Sequence, residues 1–299
     1  MLTDTLPIEI SHDGVLPGCV TVTLEQPGRP VVVLDHDLIR RLDATLRSVP
    51  RDAAGLILAS ASERSFVAGA DLKSISEWDD ERLGAYLRYG SEVFGILTDM
   101  PFPTVAAING AALGGGLELA LHCDGLVAAP APSGKPYPIG LPEAGLGLCP
   151  GWGGSNMLPA RMDPAQAIEL AARGVPLKYD AAVDAGFFDA VADNPSDLHA
   201  AAEQWLTSQA QTPTQRDGAP ARWIGRPNVA ANVLAALDRV RPDLPDTDAA
   251  RAVADSIDAG LTSGWSAGLE CEQRRLMKLR NTQTARDAIS AFFERSAKK

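Results

Sequence analysis

Cysteine and histidine are both scarce in this chain, four of each in 299 residues. Cys19, Cys123, Cys149 and Cys271 stand far apart, with no CxxC pair and no histidine at metal-ligand spacing, so a zinc centre or a redox dithiol is set aside. Buried reduced thiols are expected instead. His12, His36, His122 and His199 make neither a metal set nor a triad; His122 follows Glu118 by four residues and can share its helical face, where a structural role, or one supporting Glu118 from behind, is expected. No GxSxG is present to carry a serine nucleophile. No apolar run approaches the roughly 18 residues of a membrane span. The stretch MLTDTLPIEISHDG has no basic segment leading into an apolar core, so a cytoplasmic location is expected. Cations are in deficit, 27 Lys and Arg against 38 Asp and Glu, a formal charge of −11. A phosphate backbone would be repelled, and no nucleic-acid partner is expected.

What is present describes a folded globular chain: 45% apolar and 22% charged residues, in a length that accommodates one full domain with a smaller appendage. Residues 19–24, 31–34 and 55–59 read as strands, being short aliphatic or β-branched runs between Gly, Pro and charged residues. Between the last two, Leu38, Leu42 and Leu46 recur every four residues on one helical face. Residues 80–98 repeat that pattern with Leu83, Leu87, Phe94 and Leu97, and 104–108 follow as a strand. The alternation predicts an α/β fold over residues 1–195. From about 196 amphipathic helical stretches replace strands, among them 228–240 and 284–294, and 212–227 reads as a loop. Residues 196–299 are thus expected to form a helical C-terminal region.

Two glycine-containing segments sit where a backbone can approach a ligand. Ser65-Phe66-Val67-Ala68-Gly69-Ala70-Asp71-Leu72-Lys73 is either an ordinary strand-to-helix turn or a turn whose amides point outward. In Asn109-Gly110-Ala111-Ala112-Leu113-Gly114-Gly115-Gly116-Leu117-Glu118-Leu119-Ala120, the triple glycine precedes an apolar helical stretch. There, free N–H groups and the helix dipole favour a developing anion, although close packing through glycine explains the same residues. Glu118, in an apolar helical setting, is costly as mere packing. Glu143, in Gly140-Leu141-Pro142-Glu143-Ala144-Gly145-Leu146-Gly147, is likewise set among small and apolar residues. Two such carboxylates can divide base and acid work if their environments differ. The glycines at 145, 147 and 151 only imitate a dinucleotide motif, at the wrong spacing.

The patterns F-x-x-G-A-D-L-K, N-G-x-A-x-G-G-G-x-E-L-A-x-x-C-D and L-P-E-x-x-L-G-x-x-P-G-x-G-G, in that order between Ser65 and Gly154, resemble the successive signatures of the crotonase (enoyl-CoA hydratase/isomerase) family. The texture extends over about residues 18–192. The resemblance implies a spiral of ββα repeats followed by a helical region used in assembly, as a homotrimer or a dimer of trimers. It implies an acyl-CoA thioester as partner, with coenzyme A part of the substrate and no separate cofactor or metal. Ala70 and Gly115 match the residues whose N–H groups hold the thioester oxygen, and Glu118 and Glu143 match the two hydratase glutamates. Ala68, Asp71, Leu72, Lys73, Gly114 and Trp152 fall at substrate-binding positions, Lys73 near the coenzyme A phosphates.

The implied reaction is hydration of a 2-enoyl-CoA to a 3-hydroxyacyl-CoA, a lyase activity. Alternatives on the same fold are a double-bond isomerase, a thioester or C–C hydrolase, a ring-cleaving enzyme, or a silent scaffold; retention of both glutamates speaks against the last. The sequence departs from the family at Glu25 to Leu34, in the Pro130 to Pro136 link and at Trp152, so the acyl group is left open. Ser263 to Glu294 is similar in texture to helices that follow the hydratase half of fatty-acid oxidation α-subunits.

Overall fold

A computed structural model of the chain describes residues 4–209 and 215–297. Strands are β1 (Ile8–Ile10), β2 (Cys19–Leu24), β3 (Gly55–Ser60), β4 (Ser65–Val67), β5 (Thr104–Ile108), β6 (Ala111–Leu113), β7 (Gly125–Ala128), β8 (Pro138–Gly140), β9 (Leu177–Lys178) and β10 (Ala190–Val191). Helices are α1 (His36–Ser48), α2 (Leu72–Glu77), α3 (Asp80–Thr98), α4 (Gly115–Leu121), α5 (Gly154–Met157), α6 (Pro164–Arg173), α7 (Tyr179–Asp184), α8 (Leu198–Gln209), α9 (Ala230–Val240), α10 (Asp248–Ser263), α11 (Trp265–Leu279) and α12 (Gln283–Ala297).

The chain forms two compact units, each assembled from three stretches: 1–70, 90–139 and 177–222 in the first, 71–89, 140–176 and 223–299 in the second. In the first, β1-β2-β3-β5-β7-β10 make one sheet, parallel except for the antiparallel β1 edge. A second sheet runs β4-β6-β8-β9. Consecutive strands therefore change sheet: β3 to β4, β5 to β6, β7 to β8. Helices follow β4 and β6, which gives the expected ββα spiral. The pleat alternation of β5 sends Val105 and Ala107 to one face of the larger sheet, where they pack with Cys19, Ile57, Val127 and, on α8, Leu198, Ala202 and Leu206. The backbone of β3 meets α8 closely enough that a Cβ at Gly55 would stand 3.0 Å from Leu206.

All four cysteines are buried thiols, as expected, and burial with the nearby Glu203 charge pushes Cys19 up to about 12. The expected strand at 31–34 does not form; only Leu34 pairs, in a single parallel bridge with Ala70. Side chains take the donors a ladder would need: Val32 N–H donates to Ser65 Oγ (3.2 Å) and Val33 N–H to Gln26 Oε1 (2.8 Å). Beyond Val191 no described residue is in a strand, and helices α8 to α12 supply the expected C-terminal region. Of the expected 212–227 loop, residues 212–214 lie outside the described residues; 215–229 carry neither helix nor strand.

Candidate active site

β4 and β6 are parallel neighbours, pairing Ser65 with Ala111 and Val67 with Ala112. The turn after β4 and the start of α4 after β6 thus emerge on the same side. Two hydrogen bonds orient the peptides that follow. Gly69 O accepts from Leu34 N (2.9 Å), and Gly114 O accepts from Glu118 N (2.9 Å). In a trans peptide the N–H points opposite to the C=O. Ala70 N–H is therefore directed away from Leu34, and Gly115 N–H away from the body of α4, as a first-turn donor must be. Gly114 makes the turn possible at φ 51°, a conformation other residues rarely adopt.

Gly116 sets how closely α4 approaches β4: a Cβ there would stand 2.4 Å from Val67 O. Every residue of α4 is buried, Glu118 included, at 1% exposure. The first unit thus brings Ala68, Ala70, Gly114 and Gly115 into one cradle, two directed N–H groups at the positive end of a helix, with the buried Glu118 one turn further along that helix.

His122 sits one turn beyond Glu118, its Nδ1 2.8 Å from Glu118 O and its ring edge-on to Phe94. Burial pushes it down to about 4 from 6.5, so the ring is neutral at pH 7 and has the structural place expected of it. A group depressed in the folded state contributes stability that is present above pH 6.5 and lost as pH falls through 4. Over that window His122 should remove about 3 kcal/mol from the folded state. Urea unfolding of His122→Gln at pH 7.0 and 4.5 should show a smaller pH penalty than wild type; parallel profiles would contradict the assignment.

The second unit holds Asp71, Leu72, Lys73, Glu143 and Trp152. Asp71 caps α2, accepting from Lys73 N (3.2 Å) and Ser74 Oγ (2.7 Å), and Leu72 opens the helix half-buried. Glu143 is half-buried in the single 3₁₀ turn Glu143–Leu146. That turn ends at Gly147, where a Cβ would come within 3.1 Å of Ala285 in α12. Trp152 is 2% exposed, donates from Nε1 to Leu87 O (2.9 Å) and meets Tyr86 edge-on. Its polar end is engaged, so only its ring can serve as a pocket wall.

Lys73 lines a cavity of about 540 Å³ with Arg280 and, from α12, Arg286, Ile289 and Phe293. The same helix therefore supports the Glu143 turn and one side of this cavity. Sequence reasoning found Lys73 but missed its cavity partners. They lie some two hundred residues away, and a basic residue at the end of a helix is ordinary in any sequence.

Comparison with known proteins places these features in a family. The family model for enoyl-CoA hydratase/isomerase matches residues 17–219. The fatty acid oxidation complex subunit alpha of Shewanella halifaxensis is similar, 29% identical over 282 residues and 92% of this chain. The chain spans 39% of that relative's length. The enoyl-CoA hydratase of Bacillus anthracis shares the fold, at 24% identity and a TM-score of 0.58, with 98% of this chain and 97% of that one covered. The enoyl-CoA hydratase of Bacillus halodurans does so at 20% identity and a TM-score of 0.67, with 96% and 100% covered. With two-thirds of its length, the cradle included, matched by the family model, the chain belongs to the enoyl-CoA hydratase/isomerase family.

Proposed function

We propose that the chain hydrates a 2-enoyl-CoA thioester to the 3-hydroxyacyl-CoA, within fatty-acid metabolism. The observation that carries the reading is the cradle: Ala70 N–H and Gly115 N–H are directed out of adjacent parallel strand ends, with buried Glu118 one helical turn on. In the proposed reaction Glu118 takes a proton from water as its oxygen attacks C3. The C2–C3 π electrons shift towards the thioester, charge gathers on its oxygen, and the two N–H groups stabilise the enolate. Glu143 delivers a proton to C2, and proton exchange between the carboxyls through the next water restores both. Support for Glu143 as the partner carboxylate is the resemblance of its motif.

Lys73 and Arg286 are the proposed contacts for the phosphates of coenzyme A, and Phe293 offers a ring for its adenine. All three line one cavity, and local cations matter because the chain's net charge of −11 otherwise repels such a ligand. The proposal keeps the expected trimer or dimer of trimers and the expected cytoplasmic location.

Crotonoyl-CoA should raise the melting temperature, whereas crotonic acid at the same concentration should leave it nearly unchanged, because the nucleotide handle supplies most of the binding energy. Equal stabilisation by the two would overturn the assignment of the handle site.

A further inference from the structure

We infer that Arg280 is a positioning residue that fixes the helix carrying Lys73, and so sets affinity for the nucleotide handle; the inference rests on the function proposed above. Arg280 lies just past α11. Its Nη1 donates to Ile75 O (3.0 Å) and to Trp78 O, and its Nη2 donates to Asp80 Oδ1. The guanidinium is almost fully buried, its side chain only 5% exposed.

The helix it holds cannot hold itself. α2 has six residues, well below the roughly 12 to 15 at which an isolated helix becomes even marginal in water. Ile75 is its one buried side chain, too little apolar surface to dock it firmly. Asp71 caps the front, but the carbonyls at the rear end of a helix have no intrahelical partners. Arg280 supplies the missing donors there, at Ile75 and Trp78, and ties the start of α3 to them through Asp80. The hydrogen bond from Arg280 lowers the Asp80 carboxyl below its ordinary value.

The planar fork explains why arginine stands here. One guanidinium reaches two carbonyls and a carboxylate in fixed directions, which an ammonium on a flexible stem does not. Arg280 also lines the Lys73 cavity, and its Nε–H has no hydrogen-bond partner among the described residues. Without the fork, the exposed Lys73 keeps its charge but loses its place.

The test compares crotonoyl-CoA with crotonoyl-pantetheine, which lacks the nucleotide, as substrates of the full chain. Arg280→Ala should raise KM for crotonoyl-CoA about tenfold or more, leave kcat within about twofold, and change kcat/KM for crotonoyl-pantetheine less than about threefold, the signature of lost uniform binding. Arg280→Lys should fall between, with about a threefold rise in KM, and decides the matter if the alanine variant fails to fold. A loss shared equally by both substrates, or an unchanged KM in the lysine variant, overturns the inference while leaving the hydratase reading intact. Wild-type protein that turns over neither thioester overturns that reading and the inference with it.

Discussion

Glu118→Gln should bind crotonoyl-CoA within about threefold of wild type while turnover falls by about 10² to 10⁴, the usual contribution of a positioned acid or base. Glutamine keeps the size of the side chain and its place in a fully buried helix, so the loss reports protonation chemistry rather than repacking. Glu143→Gln should do the same. The double variant should cost far less than the product of the two losses, because in the proposed reaction both groups serve a single addition step, Glu118 on the water and Glu143 at C2. Steady-state kinetics on the three variants, with thioester binding measured separately, distinguishes the mechanisms. An isomerase shuttles a proton with one carboxylate, so there one substitution would be nearly silent. Full hydration by Glu143→Gln would remove the paired-carboxylate mechanism.

Much of this architecture is legible in the sequence. β2, β3 and β5 are runs of five or six aliphatic and β-branched residues between breakers, and α1 and α3 repeat apolar residues at helical spacing. These patterns are long enough for one period to win. The second sheet has no such signal. β4, β6, β8 and β9 have two or three residues each, shorter than a detectable alternation, and they form because neighbouring strands bring them together. Val31 to Leu34 misleads in the other direction: its composition is strand-like, yet Gln26 and Ser65 side chains take its donors.

The candidate site divides in the same way. The cradle is local, two motifs whose strands happen to be neighbours, so its residues could be named from spacing and resemblance. The interleaving of three chain stretches in each unit is a tertiary property. Arg280 and Glu272 show what it conceals. In the sequence both are charged residues on an amphipathic helix. In the fold, Glu272 is wholly buried and accepts from Gly153 N (2.6 Å) and Ser155 N (2.7 Å), fixing the turn that follows Trp152. A linear pattern records helical spacing but not which orphan donors or carbonyls a distant loop presents.

Gly116→Ala should abolish most activity without adding or removing a single functional group. Its Cβ would stand 2.4 Å from Val67 O and 2.6 Å from Val67 Cβ, distances that real contacts do not reach. The nearer atom is backbone in a paired strand, so α4 must move away from β4. Overpacking of this kind costs about 1 to 3 kcal/mol, enough to lower the melting temperature while leaving the protein folded at 25 °C. The larger effect falls on catalysis. Gly115 N–H is one residue away, and its partner donor, Ala70 N–H, follows β4; separating strand and helix separates the two donors. Displacements of about 1 Å at a reacting centre cost about 10² in rate, and loss of one oxyanion donor costs about 10² to 10³. The variant should therefore lose at least about a hundredfold in kcat while retaining thioester binding through the proposed handle site, none of whose residues is altered. Gly95→Ala is the control, because a Cβ at that position in α3 meets nothing within 4 Å, and it should leave kcat unchanged. Adding Val67→Ala to Gly116→Ala should restore only part of the loss, since trimming the side chain leaves the Val67 carbonyl where it was. Wild-type turnover in Gly116→Ala would show that the spacing of α4 and β4 does not set the donor geometry, and full rescue by Val67→Ala would assign the clash to the side chain instead of the backbone.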